Sequence, residues 1–238
     1  MTRPSGSSPL RGAIAIGGGL LFAASLLYFA WQYLRGFGLP APGGATGRAV
    51  TINVALFTIF ALHHSVFARA GLKAALARAV GPSLERSVYV WIASLLFLAV
   101  CAFWQPVPGR LWDVPAPWAW LFRAVQAGGV LFTLAAARRL DALDLAGVSP
   151  ALGRAPSRQG LDDHGPYGFV RHPIYFAWLL LVWPAPEMNG TRLVFAITST
   201  VYLLVAIPFE ERDLRRVFGE RYERYSRSVR WRMLPGIY

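Results

Sequence analysis

Six apolar stretches dominate the chain: residues 13–34, 50–67, 87–104, 118–137, 167–183 and 191–209, separated by polar segments. Stretches of about 18 to 22 residues, at about 1.5 Å of rise per residue, match a hydrocarbon core about 30 Å thick. The pattern predicts an all-α fold, a polytopic membrane bundle with six crossings. The fifth stretch stands apart. From Pro173 to Trp183, before Pro184 and Pro186, it offers only about 11 residues, about 16 Å of helix. Pro173 suits a first helical turn, where its missing N–H costs nothing. To reach across a bilayer the stretch has to begin near Tyr167, which draws Arg171 and His172 below the membrane surface. They can sit there only in a polar cavity or against a bound partner. The connection from Pro184 to Gly190 is short, so stretches five and six predict an antiparallel helical hairpin. That hairpin brings Arg171, His172 and Tyr175 to the same end as Glu210 and Glu211. Beyond Phe209, Leu214, Phe218, Tyr222 and Tyr225 recur at helical spacing and predict one cytoplasmic helix over Glu210 to Tyr238, mildly interrupted at Gly219. The glycine- and proline-containing loop from Arg138 to Pro166 is expected to lie over the site.

Composition agrees with the pattern. Hydrophobic residues make up 55% of the chain and charged residues 15%, with a mean hydropathy of +0.41, which excludes an ordinary soluble domain. A net charge of +12 would suggest nucleic acid in a soluble protein. Here the arginines stand between apolar runs, so no nucleic-acid partner is expected and the bilayer is. With the N-terminus in the cytoplasm, nineteen of the 24 basic residues fall on the cytoplasmic side; only Arg35, Arg48, Arg110, Arg123 and Arg192 fall opposite. That split predicts a bacterial-type inner-membrane protein with both termini cytoplasmic. Trp104, Trp112, Trp118, Trp120 and Trp183 collect toward the other interface, as an aromatic belt does. The first apolar run is longer than a signal-peptide core and lacks a small-residue cleavage site, so it is expected to remain as the first span. The one cysteine, Cys101, excludes a disulfide within the chain.

Several polar clusters could carry chemistry. Arg171-His172-Pro173-x-Tyr175 reads either as a site or as a basic flank with a helix-starting proline. Glu210 and Glu211 oppose the dipole of the helix they end, which points to a cationic partner, although Arg212, Arg215 and Arg216 are near enough in sequence to serve. His63 and His64 are adjacent on a helix and point about 100° apart, so they do not chelate one metal readily. Asp162-Asp163-His164 lacks metal-ligand spacing, and no metal is expected.

The combination Gly165-x-Tyr167-x-x-x-Arg171-His172-Pro173-x-Tyr175, an apolar span, and Glu210-Glu211-x-x-Leu214-x-x-x-Phe218-Gly219-x-x-Tyr222-x-x-Tyr225 resembles the membrane methyltransferases of the isoprenylcysteine carboxyl methyltransferase superfamily. His63-His64-Ser65-Val66, Glu85-Arg86-Ser87-x-Tyr89-Val90 and Trp112-Asp113-Val114 resemble its methanethiol S-methyltransferase branch. The resemblance implies one membrane methyltransferase domain over residues 1–238, with the cofactor part in about the last third, residues 150–238.

It implies S-adenosylmethionine as cofactor, with Gln159, Gly160, Leu161 and Asp162 over the pocket, Tyr167, His172, Pro173 and Tyr175 lining it, and Glu210 at the charged end. A carboxylate suits a cation in a partly dry site, and tyrosine rings suit adenine or a sulfonium. The isoprenylcysteine enzymes carry an arginine for the substrate carboxylate one turn before that glutamate. Here the position is Ala206, an apolar wall that favours a small thiol such as methanethiol. A thiol with a pKa of about 8.5 is mostly protonated at neutral pH, and His64 or Arg171 is expected to favour the thiolate. Three alternatives share parts of the pattern: an isoprenylcysteine or lipid methyltransferase, an NADPH-dependent membrane reductase with a similar Arg-His-Pro-x-Tyr element, and a non-enzymatic accessory protein of nitrogen-oxide metabolism.

Overall fold

The structure, a computed structural model, describes residues 9–41, 43, 45–67, 69–140, 142–152 and 160–238. Among the described residues, five helices are long and apolar enough to cross a membrane: α1 (Pro9–Leu34, continued by a short 3-10 turn), α2 (Thr46–Val66), and, after the shorter α3 (Ala70–Val80), α4 (Glu85–Phe103), α5 (Trp118–Ala137) and α9 (Gly190–Phe218). The protein is a polytopic helical membrane protein. The remaining helices are short: α6 (Ala142–Leu145), α7 (Pro166–Phe169), α8 (Pro173–Val182) and α10 (Glu220–Ser228).

The chain is mainly rather than wholly α-helical. Strands β1 (Arg110–Asp113) and β2 (Glu187–Asn189) pair antiparallel, with Trp112 opposite Met188. Neither strand shows an alternating pattern long enough to be read from sequence. Pro106, Pro108, Pro184 and Pro186 keep their neighbourhoods from becoming helical.

The chain divides into two compact units. The first takes in residues 1–36, 51–104 and 140–159, and its axis is the pairing of α1 with α4. Gly17 and Gly18 make room for the Trp91 ring; a Cβ on either would come within 2.9 Å of it. The Trp91 indole donates to the Ile14 carbonyl at 2.8 Å. The segment after α6 is tied to the start of α4 by the Ser87 hydroxyl, which donates to the Gly147 carbonyl at 2.6 Å.

The second unit takes in residues 37–50, 105–139 and 160–238. Its closest helix pairing is α5 with α8. A Cβ on Gly129 would lie 2.8 Å from the Ala177 carbonyl oxygen, and Gln126 donates to the Leu181 carbonyl at 2.8 Å. Small residues and side-chain hydrogen bonds are what hold helices together where lipid removes the hydrophobic drive.

Two expectations are corrected here. The fifth apolar stretch is not one helix: it holds the end of α7, to Phe169, and, after a break at residues 170–172, the 10 residues of α8. His172 precedes a proline and has φ −120°, ψ 69°, away from the helical region that proline disfavours for its predecessor. The helix therefore cannot run back to Tyr167, and α7 stands alone. The second correction concerns the single helix expected over Glu210 to Tyr238. Helix α9 passes through Pro208 and both glutamates to Phe218 and stops at Gly219, whose φ of 52° ends it. Helix α10 comes next, and the chain beyond Ser228 is irregular. The apolar spacing that suggests one long helix instead turns Tyr222, Tyr225 and Val229 back against Leu161, Leu214 and Phe218.

Candidate functional site

The site grows from the turn between α7 and α8. Gly165 sits at φ 59° just before Pro166, the first residue of α7. This is a conformation glycine adopts without a Cβ penalty. The Tyr225 hydroxyl donates to the Tyr167 carbonyl at 2.8 Å and so ties α7 to α10. Burial first, and then the charge of Asp162, pushes the Tyr167 phenol up to about 12, so it stays a neutral, half-buried ring. Gly160 and Leu161 lie against α10, where Arg221 donates to the Leu161 carbonyl at 2.9 Å. Asp162 closes a turn by accepting the His164 main-chain N–H at 3.0 Å, with Arg139 3.8 Å away. Ligand atoms of Asp162, Asp163 and His164 come within 4.8 Å of one another on an exposed loop.

At the other side of the turn, Glu210 and Glu211 have opposite environments. Successive helical residues point about 100° apart, and here one carboxylate points inward. Glu211 is fully buried. It accepts from Arg171 Nε at 2.7 Å and Arg232 Nε at 3.1 Å, with Arg215 at 3.5 Å and His172 Nε2 at 3.7 Å. Arg171 is itself 8% exposed, and its Nη1 also donates to the carbonyls of Val229 and Arg230, at 2.8 and 2.9 Å. Arg171 thus links Glu211 to the backbone of residues 229 and 230 through its Nε and Nη1.

Glu210 is 41% exposed. The Tyr175 hydroxyl donates to it, and His172 Nδ1 lies 3.4 Å from its other oxygen. The rings of His172 and Tyr175 stack with centroids 5.4 Å apart and planes 9° apart. Burial opposes protonation of His172. Glu210 and Glu211 together outweigh it, so the imidazole titrates above its usual value of 6.5. The result is a half-open carboxylate beside two flat aromatic rings. Such a site can hold a cation on the carboxylate and a planar group near the rings.

The structure therefore gathers Arg171, His172, Pro173, Tyr175 and Glu210 at one turn, and Gly160, Leu161, Asp162 and Tyr167 along α7 and α10. Gln159 lies outside the described residues. Ala206 is buried one helical turn before Glu210. Pro208, between them, has no N–H to donate to the Leu204 carbonyl. His64 belongs to the first unit, where the Tyr89 hydroxyl lies 2.9 Å from its Nδ1; the neighbouring His63 is buried and stacked on Phe67 and Tyr89. The residue that spacing does not point to is Arg232. In sequence it is one of eight arginines after Phe209, and nothing local separates it from the others.

The chain is 37% identical over 187 residues to methanethiol S-methyltransferase 2 of Bradyrhizobium diazoefficiens, covering 77% of this chain and 72% of that one. It is 37% identical over 195 residues to methanethiol S-methyltransferase of Mycobacterium tuberculosis, covering 77% of each. It is also 29% identical over 195 residues to nurim of Xenopus laevis, covering 75% of this chain and 68% of that one. No family model and no solved structure matches the chain.

Proposed function

The chain belongs to the methanethiol S-methyltransferase family, and from that premise we propose that it transfers a methyl group from S-adenosylmethionine to methanethiol or a similar small thiol, giving a thioether. The observation that carries the reading to this chain is the half-open Glu210 carboxylate beside the stacked His172 and Tyr175 rings. S-adenosylmethionine supplies the electrophilic methyl of a sulfonium. Glu210 is assigned to its cationic end, His172, Pro173, Tyr175 and Tyr167 to the pocket wall, and Gln159, Gly160, Leu161 and Asp162 to the cover. The thiol must give up its proton as the new sulfur–carbon bond forms. His64, whose ring is held by Tyr89, is the side chain we assign to that proton. Arg171 acts indirectly, by holding Glu211 and the turn in place. Positioning of this kind supplies most of the rate in a reaction that needs two groups aligned.

We assign Ala206 to the acceptor wall. A buried carboxylate without a cation is strongly disfavoured, which selects against a prenylcysteine. Methyl transfer from labelled cofactor is to be compared for methanethiol, a prenylcysteine analogue and phosphatidylethanolamine; preference for either lipid-like acceptor overturns the thiol assignment. Ala206→Arg fills the acceptor wall and adds an unpaired charge to it, so it is expected to remove most turnover of methanethiol.

We also propose that both termini face the cytoplasm and that α8 and α9 form an antiparallel hairpin, with Tyr175 beside Glu210 and the Trp183 indole donating to Thr200 at 3.0 Å. The sixth crossing is then α8 continued by residues 184–189. That backbone is paired with residues 107–114: Val114 N–H donates to the Pro186 carbonyl and Gly190 N–H to the Gly109 carbonyl, each at 2.9 Å. Extended backbone is tolerated at membrane depth when protein satisfies it in this way. With Cys101 replaced by serine, Glu187→Cys is expected to react with an impermeant thiol reagent only from outside, and Gly236→Cys only from the cytoplasm. Labelling of both from one side rejects the topology.

A further inference from the structure

The last ten residues return to the site. Main-chain N–H groups of Arg171 and His172 donate to the carbonyls of Trp231 and Arg232, at 2.9 and 2.8 Å. Met233 is fully buried against Leu179, Leu203 and Ile207, between α8 and α9. The segment then closes on itself, with the N–H groups of Met233 and Leu234 donating to the Tyr238 carbonyl at 2.9 Å. Arg232 stands at the centre. Its Nε donates to Glu211 at 3.1 Å, its Nη1 to the Tyr238 hydroxyl at 3.2 Å, and its guanidinium lies over the Tyr238 ring.

We propose that Arg232 is a positioning residue for the cation site: through Glu211 and the returning backbone it fixes His172 and Tyr175 beside Glu210, so residues 229–238 belong to the binding machinery. The inference rests on the reading that this site takes S-adenosylmethionine. The geometry allows two opposite expectations to be separated. Arg232 is a cation near a site for a cation, so electrostatics alone makes its removal strengthen binding. Positioning makes its removal weaken binding, because the turn that carries His172 loses the partner of its buried carboxylate.

Calorimetric titration of the purified full chain with S-adenosylmethionine decides between them. Arg232→Ala is expected to raise Kd about tenfold, the scale of one lost charge-assisted hydrogen bond. Arg232→Lys, which keeps one charged donor for Glu211, is expected to recover most of that loss. Equal or tighter binding by Arg232→Ala overturns the proposal. A second readout needs no ligand. His172 faces Glu210 and Glu211 on α9, Tyr175 on α8, its neighbour Arg171, and Arg232. Removing Arg232 leaves Glu211 less neutralised, so the His172 imidazole, followed by NMR and assigned with His172→Asn, is expected to titrate higher in Arg232→Ala. An unmoved titration overturns the proposal. Should Arg232→Ala not fold, Tyr238→Phe removes only the hydroxyl that holds Nη1 and is expected to weaken binding; an unchanged Kd overturns the proposal. Failure of the unmodified chain to bind S-adenosylmethionine refutes the cofactor reading instead, and the His172 titration still decides the positioning role.

Discussion

Glu211→Ala is expected to be the most damaging single substitution in the second unit, costing about 3 to 5 kcal/mol, the usual penalty for stripping one partner from a buried ion pair. The carboxylate has no exposure, and Arg171, its nearest partner, is 8% exposed. Removing it leaves Arg171 charged, desolvated and facing Arg232 with nothing between them. Arg215, at 42% exposure, meets solvent and contributes little. Total stabilities are about 5 to 15 kcal/mol, so the loss is a large fraction of the whole. Thermal unfolding in detergent, followed by size-exclusion chromatography, should show a collapsed midpoint and aggregated material. A midpoint unchanged from that of the unmodified chain would mean that the cluster around Glu211 is solvated and that its buried geometry is not maintained.

Glu210→Gln, one residue earlier, is expected to do the reverse: leave folding intact and lower affinity for S-adenosylmethionine about ten- to a hundredfold, the equivalent of about 1.5 to 3 kcal/mol for a charge-assisted contact. The carboxylate is 41% exposed. Glutamine keeps its shape and still accepts the Tyr175 hydroxyl, so stability is spared while the charge is lost. His172→Ala is expected to weaken the same ligand by removing the ring stacked on Tyr175. Calorimetric titration of both variants with S-adenosylmethionine, and of the unmodified chain with NADPH, measures this. Normal cofactor binding by Glu210→Gln would make the carboxylate structural and remove the main physical support for the cofactor assignment.

The spans are legible in the sequence because lipid imposes one rule, that backbone polar groups be satisfied inside the segment, and long apolar runs obey it visibly. The site is legible as spacing: Arg171, His172 and Tyr175 stand about one span away from Glu210, and proline marks the turn. What spacing cannot decide is orientation. Two adjacent glutamates look alike in sequence, and only packing shows that Glu211 is consumed by arginines while Glu210 keeps an open side. Spacing also does not record that Arg171 Nε and Nη1 donate to Glu211 and to the carbonyls of Val229 and Arg230. The pairing of residues 107–114 with 184–190 is hidden for another reason. Its partners are far apart in the chain, and proline-rich segments carry no periodicity to betray them. Gly219 looks like a mild interruption because its φ of 52° is set by the packing of α10 against Leu214 and Phe218, which local composition does not record.

Helix α8 has a consequence for biogenesis. Ten residues, about 15 Å of helix, fall well short of the about 17 to 25 residues that an insertion machinery accepts as a span. Helix α8 cannot enter the bilayer on its own account. It has to be recruited laterally by a partner already in place, and α5 is made first. The seam that receives it is the one where Gly129 lets the backbone of α8 approach so closely. On the proposed six-crossing topology, a larger side chain at Gly129 therefore strikes during synthesis, as a nascent chain whose α8 never docks, before it can register as a less stable finished protein.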